Sequence, residues 1–210
     1  MPFPLKTAVF ALLMPMAACR AETPVFGSTA SPAARYEAWL AAGHRAEARA
    51  YANDLRRQGV GDVVPMAALS RTARSWRECR SDEFVTPPSI LWVNMTPTLR
   101  VVARLRDAGI LDPTLARSVY RDADVNRCAG GSARSKHTEN RAIDFDLPSN
   151  ADSVDKLCAF WREHGQTLNL GLGFYTPTTI HLDTAGFRTW GSDHRRGTSL
   201  CIAPASAEKR

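Results

Sequence analysis

A chain of 210 residues, 44% hydrophobic and 23% charged, has room for one domain with a full core and not for two large ones. Its formal charge of +6 is scattered over arginine-rich segments. No basic run is interleaved with aromatics, so nucleic acid is not an expected partner; a cationic surface of this kind suits an anionic polymer such as cell wall.

Lys6 opens an apolar run, TAVFALLMPMAAC, that ends in small residues. It has the layout of a secretory signal peptide over 1–21 and is too short to cross a membrane. Cys19, behind Met16-Ala17-Ala18, offers a second outcome, lipidation, which would anchor the chain to a membrane. Both outcomes predict a periplasmic or exported protein, the second an outer-membrane lipoprotein. Either way Cys19 leaves the pool of five cysteines, and Cys79, Cys128, Cys158 and Cys201 remain. An even number in an exported chain predicts two disulfides. The sequence does not choose among the connectivities; Cys79–Cys128 with Cys158–Cys201 is only a working pairing.

Residues 22–30 read as a linker. Ser31-Pro32 then supplies an N-cap and a proline at the first helical position. Tyr36, Trp39, Leu40 and Gly43 follow at i, i+3, i+4, i+7, which predicts one helix to about Arg57, stopping before Gly59. A shorter helix after Pro65 should put Leu69, Ala73 and Trp76 on one face and end near Cys79. Residues 31–86 are thus a helical N-terminal region, and Pro87-Pro88 marks its boundary with residues 87–203. Thr96-Pro97 repeats the capping device, and Leu99, Val102 and Leu105 carry a helix to Gly109, a natural residue beyond a helix end.

Residues 117–121 (RSVYR) are β-prone and lead into a loop, DADVNRCAGGSARS. Residues 141–147 (RAIDFDL) alternate sharply, as a strand does. Val154, Leu157, Cys158 and Trp161 mark a further helix ending at Gly165. GLGFY (171–175) and TTIHLDT (178–184) read as strands, RTWG (188–191) as an edge, and 204–210 as a frayed tail. The fold class is α+β: a small, mostly antiparallel sheet flanked by helices, with an N-terminal helical preface. A monomer is expected.

Two segments carry the chemistry, SKHTENRAID (135–144) and IHLDT (180–184). On a strand, residues i and i+2 share a face. Asp144 and Asp146 therefore oppose Ile143 and Phe145, while His181 and Asp183 oppose Ile180 and Leu182. If the strands are neighbours, Asp144 and His181 meet, and His137 closes a triangle from its loop. A catalytic zinc site has three ligands of this kind and an open fourth position, so His137, Asp144 and His181 are candidate ligands for Zn2+. Singly each has a blander reading, since loop histidines are often solvated and strand aspartates often cap turns. Convergent buried carboxylates, however, need a cation or hydrogen bonds to hold them. His44, His164 and His194 are read as solvated. A serine hydrolase is a poor fit, because no G-x-S-x-G elbow accompanies Ser135, His137 and Asp144.

In order along the chain, Ser118-Val119-Tyr120-Arg121, Asn126, Gly130-Gly131, Ser135, His137, Ala142, Asp144, the run GLGFY at 171–175, and His181-Leu182-Asp183 form a set. Over roughly residues 115–191 this set resembles the zinc D-alanyl-D-alanine carboxypeptidase family. These are peptidoglycan metallopeptidases related to lysostaphin-like enzymes and the hedgehog signalling domain. Asn140 stands where the family commonly has Gly, and Asn is the next residue to tolerate a left-handed backbone. Thr178 stands where many relatives carry Glu, which leaves the general base open.

The resemblance implies a zinc peptidase-like domain over 87–203 that hydrolyses peptide bonds in peptidoglycan stem peptides or crosslinks. It would be a D-Ala-D-Ala carboxypeptidase or a murein endopeptidase. It implies that Arg121 binds a substrate carboxylate. Ser135 either binds substrate or fixes its loop. Asp183 either takes the proton of the attacking water or orients a ligand histidine. The alternative from another class is a non-catalytic, zinc-containing peptidoglycan-binding module on the same fold, which the missing Glu supports.

Overall fold

The computed structural model describes residues 30–148 and 152–202. The expected signal peptide with Cys19, nearly all of the linker and the 204–210 tail lie outside the described residues. The described residues from Ser31 onward form one compact unit. No described helix is long and apolar enough to cross a membrane.

Helix α1, Pro32–Trp39, starts as its sequence demands: the Ser31 hydroxyl accepts a bond from the Ala34 amide at 3.2 Å and Pro32 fills the first turn. The single helix expected to run to Arg57 is broken. Gly43 sits at φ +117°, so residues Leu40–His44 form a kinked π segment and α2, Arg45–Arg57, begins anew. The helical stripe ran through a residue whose missing Cβ permits a backbone that no neighbour would hold. On α2, Ala48, Tyr51, Ala52 and Leu55 are buried at helical spacing.

The helix expected after Pro65 is also shorter. Helix α3 covers only Met66–Leu69. Beyond it the Thr72 amide bonds Glu83 and the Val85 amide bonds Ser70, so the backbone pairs with residues 83–85 instead of continuing the helix. Leu69, the last residue of α3, and Ala73 beyond it are both buried, but no continuous helix joins them. Helix α4, Met95–Asp107, starts before the predicted Thr96 cap, because a 3-10 turn over Ser89–Asn94 feeds into it. Pro97 falls within the first turn, where its absent N–H costs nothing. Gly109 (φ +66°) ends the helix as expected.

Strand β1, Ala116–Ser118, is followed by a short helix, α5 (Ala123–Cys128), where a loop was expected. Asp122 caps it, accepting from the Asp124 and Val125 amides at 2.9 and 2.8 Å. Strands β2 (Ala142–Asp146), β3 (Gly171–Thr176), β4 (Thr179–Asp183) and β5 (Arg188–Trp190), with helix α6 (Ser153–His164) after β2, complete the chain. The sheet order is β1-β2-β4-β3-β5, antiparallel except for β5, which runs parallel to β3. This is the α+β architecture expected.

One face of the sheet is fully apolar. Ile143, Phe145, Leu172, Phe174, Ile180 and Leu182 are all buried and share one core cluster with Leu99 and Val102 of α4 and Leu157 and Trp161 of α6. Each such side chain contributes about 1.5–3 kcal/mol by leaving water. A one-residue slip of β2 or β4 would turn that face outward, so the core fixes the register. Tyr51 and Leu55 join the same cluster, so residues on both sides of Pro87-Pro88 build one core. Two disulfides, Cys79–Cys128 and Cys158–Cys201, tie the 73–80 turn to α5 and α6 to the C-terminal segment, in the working pairing.

Candidate metal centre

The register that buries the apolar face sets the polar one. Cross-strand partners form two rows. The first runs Ser118, Asp144, His181, Gly173, Trp190; the second runs Ala142, Asp183, Gly171, Arg188. Asp144 and His181 therefore face each other directly, as period-two alternation required.

His137 comes from a tight turn before β2. The turn closes through amide bonds from Asn140 to His137 and from Arg141 to Lys136. Asn140 takes the left-handed conformation at φ +53°, as its substitution for glycine required. Its side-chain amide donates to the Leu91 carbonyl at 3.1 Å and to the Tyr51 hydroxyl at 3.3 Å, which ties the turn to α2. Ser135 accepts the His137 amide at 3.4 Å and its carbonyl accepts Thr138 Oγ1 at 2.7 Å. It fixes the loop, while also lining the cleft described below.

His137 Nε2, Asp144 Oδ1 and His181 Nδ1 form a triangle with edges of 3.0, 3.1 and 3.1 Å. The far side of each imidazole decides its tautomer. His137 Nδ1 lies 2.5 Å from the Val119 carbonyl, which can only accept, so Nδ1 carries a proton and Nε2 presents a lone pair. His181 Nε2 lies 2.9 Å from Asp183 Oδ2, which by the same reasoning leaves a lone pair on Nδ1. Two lone pairs and a carboxylate oxygen thus converge on one point, 1–5% exposed. With both imidazoles neutral, that arrangement is repulsive unless a cation or a proton sits among the three atoms. Tetrahedral coordination with bonds of ~2.0–2.1 Å puts donors roughly 3.3 Å apart, close to what is seen. Among the described residues, these three form the group able to hold a metal ion.

The electrostatics agree. Burial holds the His137 imidazole below its ordinary value, with Asp144 opposing. Burial also works against the Asp144 carboxylate, but the two imidazoles overcome it and hold the carboxyl well below the usual range. At His181 burial is outweighed by bonds to Asp144 and Asp183, and the imidazole is raised. A divalent cation would take the place of the proton that these carboxylates favour on His181.

Asp144 Oδ2 is engaged separately, by Arg121 Nη2 at 2.6 Å, while Arg121 Nε donates to Ser118 Oγ at 2.8 Å. Arg121 is buried. It both borders the cleft and bonds the Asp144 carboxylate.

Asp183 stands behind His181 rather than in the cleft. Although it shares the strand face with His181, it is fully buried and does not reach the cleft. Arg188 grips it with both Nη atoms at 3.0 and 2.6 Å, and the Ala185 amide adds a bond of 2.8 Å. Burial pushes its carboxyl up, but the His181 imidazole first, then the Ala185 amide and Arg188, hold it below the usual range. The neighbouring glycine is the cause. A Cβ at Gly171 would lie 2.6 Å from Arg188 Nη1 and 2.7 Å from Asp183 Oδ2, and a Cβ at Gly173 would collide with the Trp190 indole. The two glycines of GLGFY leave space for side chains from β5 to cross β3.

A cleft of about 1070 Å³ opens over the first row, lined by Asp144, His181, Arg121, Tyr175 and Trp190 and rimmed by Arg74, Arg134, Lys136 and Arg196. Asp144 is the one acidic group among the described lining residues. Tyr175, unassigned from sequence beyond its motif, puts its hydroxyl 3.4 Å from His181 Nδ1. Burial, then the Asp144 charge, raise its phenol above the ordinary value, so it stays protonated. Arg188 and Trp190 were also missed; alternate glycines facing an edge strand with bulky residues were the available signal. His194, read as solvated, borders this cleft from an exposed turn. His44 and His164 stack or pack beside Trp39 and Phe160, away from the site.

A buried His-Asp-His triangle beside an open cleft is a site that could hold a metal ion. The family model described as Peptidase M15 matches residues 66–183, more than half of the chain, and the chain belongs to that family of metallopeptidases, of the zinc D-Ala-D-Ala carboxypeptidase type. No curated protein and no solved structure matches it.

Proposed function

We propose that this chain is a zinc-dependent peptidase that cuts peptide bonds in peptidoglycan stem peptides or their crosslinks. The observation that carries the reading is the triangle of His137 Nε2, Asp144 Oδ1 and His181 Nδ1, whose tautomers leave three electron-pair donors facing one point. Membership of the M15 family supports it. Two imidazoles and one carboxylate suit zinc with an open position. Zinc held there would supply Lewis acidity toward a carbonyl oxygen and toward water.

The remaining chemistry belongs to the chain. Asp183 and the Val119 carbonyl hold the two histidines in the ligating tautomer, and Arg121 holds Asp144 in orientation. The basic rim favours peptides that carry several carboxylates, as stem peptides do. With Asp183 turned away, His194 is the cleft-lining imidazole outside the triangle, and in this reading it relays the proton to the leaving amine. Export to an oxidising compartment fits the two disulfides, and Cys19 would decide between a released and a lipid-anchored form.

A second reading keeps the site and drops the chemistry: a zinc-containing peptidoglycan-binding module. It is favoured by the absence of a carboxylate in the described cleft outside the triangle. Incubating the protein with defined crosslinked and uncrosslinked muropeptides, with and without chelator, and weighing the products separates the two. Chelator-sensitive cleavage is the expected result and would also say whether the enzyme is a carboxypeptidase or an endopeptidase. Binding without any product would favour the module.

A further inference from the structure

We propose that Tyr175 is a catalytic residue, its phenolic hydroxyl donating a hydrogen bond to the scissile carbonyl oxygen as negative charge builds there. The inference rests on the peptidase reading. Its basis is position. Tyr175 shares the β3 face with Gly171 and Gly173, and beside it the β3–β4 ladder loses its register between Phe174 and Thr176. Its ring meets His181 edge-on, with centroids 6.3 Å apart at 86°. The hydroxyl stands 3.4 Å from His181 Nδ1, one corner of the triangle, and borders the open side of the cleft.

That hydroxyl and the triangle's Asp144 and His181 line the same cleft, from which a carbonyl would approach. The contact with Nδ1 is long for a hydrogen bond, and Nδ1 is the atom turned toward the ion site. A donor placed beside such a corner is positioned for an oxygen sharing that site. Arg121, the other donor touching the triangle, spends Nη2 on Asp144 Oδ2 and Nε on Ser118 Oγ. Oxygen that gains charge during attack strengthens its bond to a fixed donor more than the ground-state carbonyl does, which is how such a donor lowers a barrier.

The test is Tyr175→Phe, which keeps the ring and removes the hydroxyl. On a muropeptide that the native protein cleaves, kcat should fall about 10²–10³-fold with KM nearly unchanged. Zinc content and melting temperature should match the native protein. A phosphinate analogue of the cleaved dipeptide, titrated calorimetrically into both zinc-loaded proteins, should bind the variant more weakly by a similar factor. An uncleaved substrate analogue with a planar amide should bind both alike. A kcat within about threefold of native, or a loss of activity that added zinc restores, would overturn the assignment. If the native protein cleaves no muropeptide, the peptidase reading falls. The phosphinate comparison still decides the Tyr175 contact, because equal affinities would refute it.

Discussion

Asp183 holds His181 from behind, its Oδ2 lying 2.9 Å from Nε2 while Arg188 clamps both carboxylate oxygens. The ligand histidine is thereby fixed in tautomer and rotation by a group that never touches the cleft. Removing such a partner typically weakens metal binding about 10–100-fold. Asp183→Ala should therefore lose zinc on dialysis, and cleavage should return when zinc is added in excess. Full zinc occupancy with cleavage abolished would instead make Asp183 the proton acceptor.

Arg121 and Asp144 form a buried ion pair at 2.6 Å. Removing one partner of such a pair leaves the other charge uncompensated, at a cost of about 3–5 kcal/mol. Arg121→Met should lower unfolding free energy by an amount near that range in chelated protein. The loss should be smaller with zinc present, because the ion then compensates Asp144. Urea unfolding with and without zinc measures both; an identical loss in the two conditions would mean that the ion does not contact Asp144.

Gly173 lies under the Trp190 indole. Gly173→Ala should destabilise by about 1–3 kcal/mol through overpacking. The same substitution in a Trp190→Ala background should cost much less, and the double-mutant cycle reports the coupling. Additive effects would show that the two residues do not compete for space.

Zinc affinity should fall with acid. Asp144 and Asp183 raise His181 above its ordinary value of 6.5, so the apo site holds this proton at a higher pH than a free imidazole would. Zinc must displace it. Apparent affinity is then independent of pH above the raised value and drops below it, roughly tenfold per pH unit for one proton. The lowered His137 adds no further loss until more acid conditions. Competition with a chromogenic chelator between pH 5 and 9 would measure the slope; a flat profile would contradict the tautomer assignment.

The ligand triangle was legible because it follows from local alternation. Ile143 and Phe145, like Ile180 and Leu182, must be inside, which leaves Asp144 and His181 on one shared face. The breaks were not legible for equally physical reasons. Gly43 sits inside a helical stripe, and nothing nearby signals φ +117°. Leu69 and Ala73 satisfy helical spacing, yet beyond Leu69 the Thr72 and Val85 amides pair across the chain. Helix α5 announces itself only through the Asp122 cap. The fate of Asp183 depended on β5 lying parallel to β3, a non-local pairing that lets Arg188 cross a glycine.

The central claim is that a single divalent ion is gripped by His137 Nε2, Asp144 Oδ1 and His181 Nδ1. Diffraction from zinc-loaded crystals, collected on both sides of the zinc absorption edge, tests it most directly. The account predicts one anomalous peak within about 2.0–2.2 Å of all three atoms, with His181 Nε2 still on Asp183. A peak bound elsewhere, or one coordinated through His181 Nε2, would contradict it.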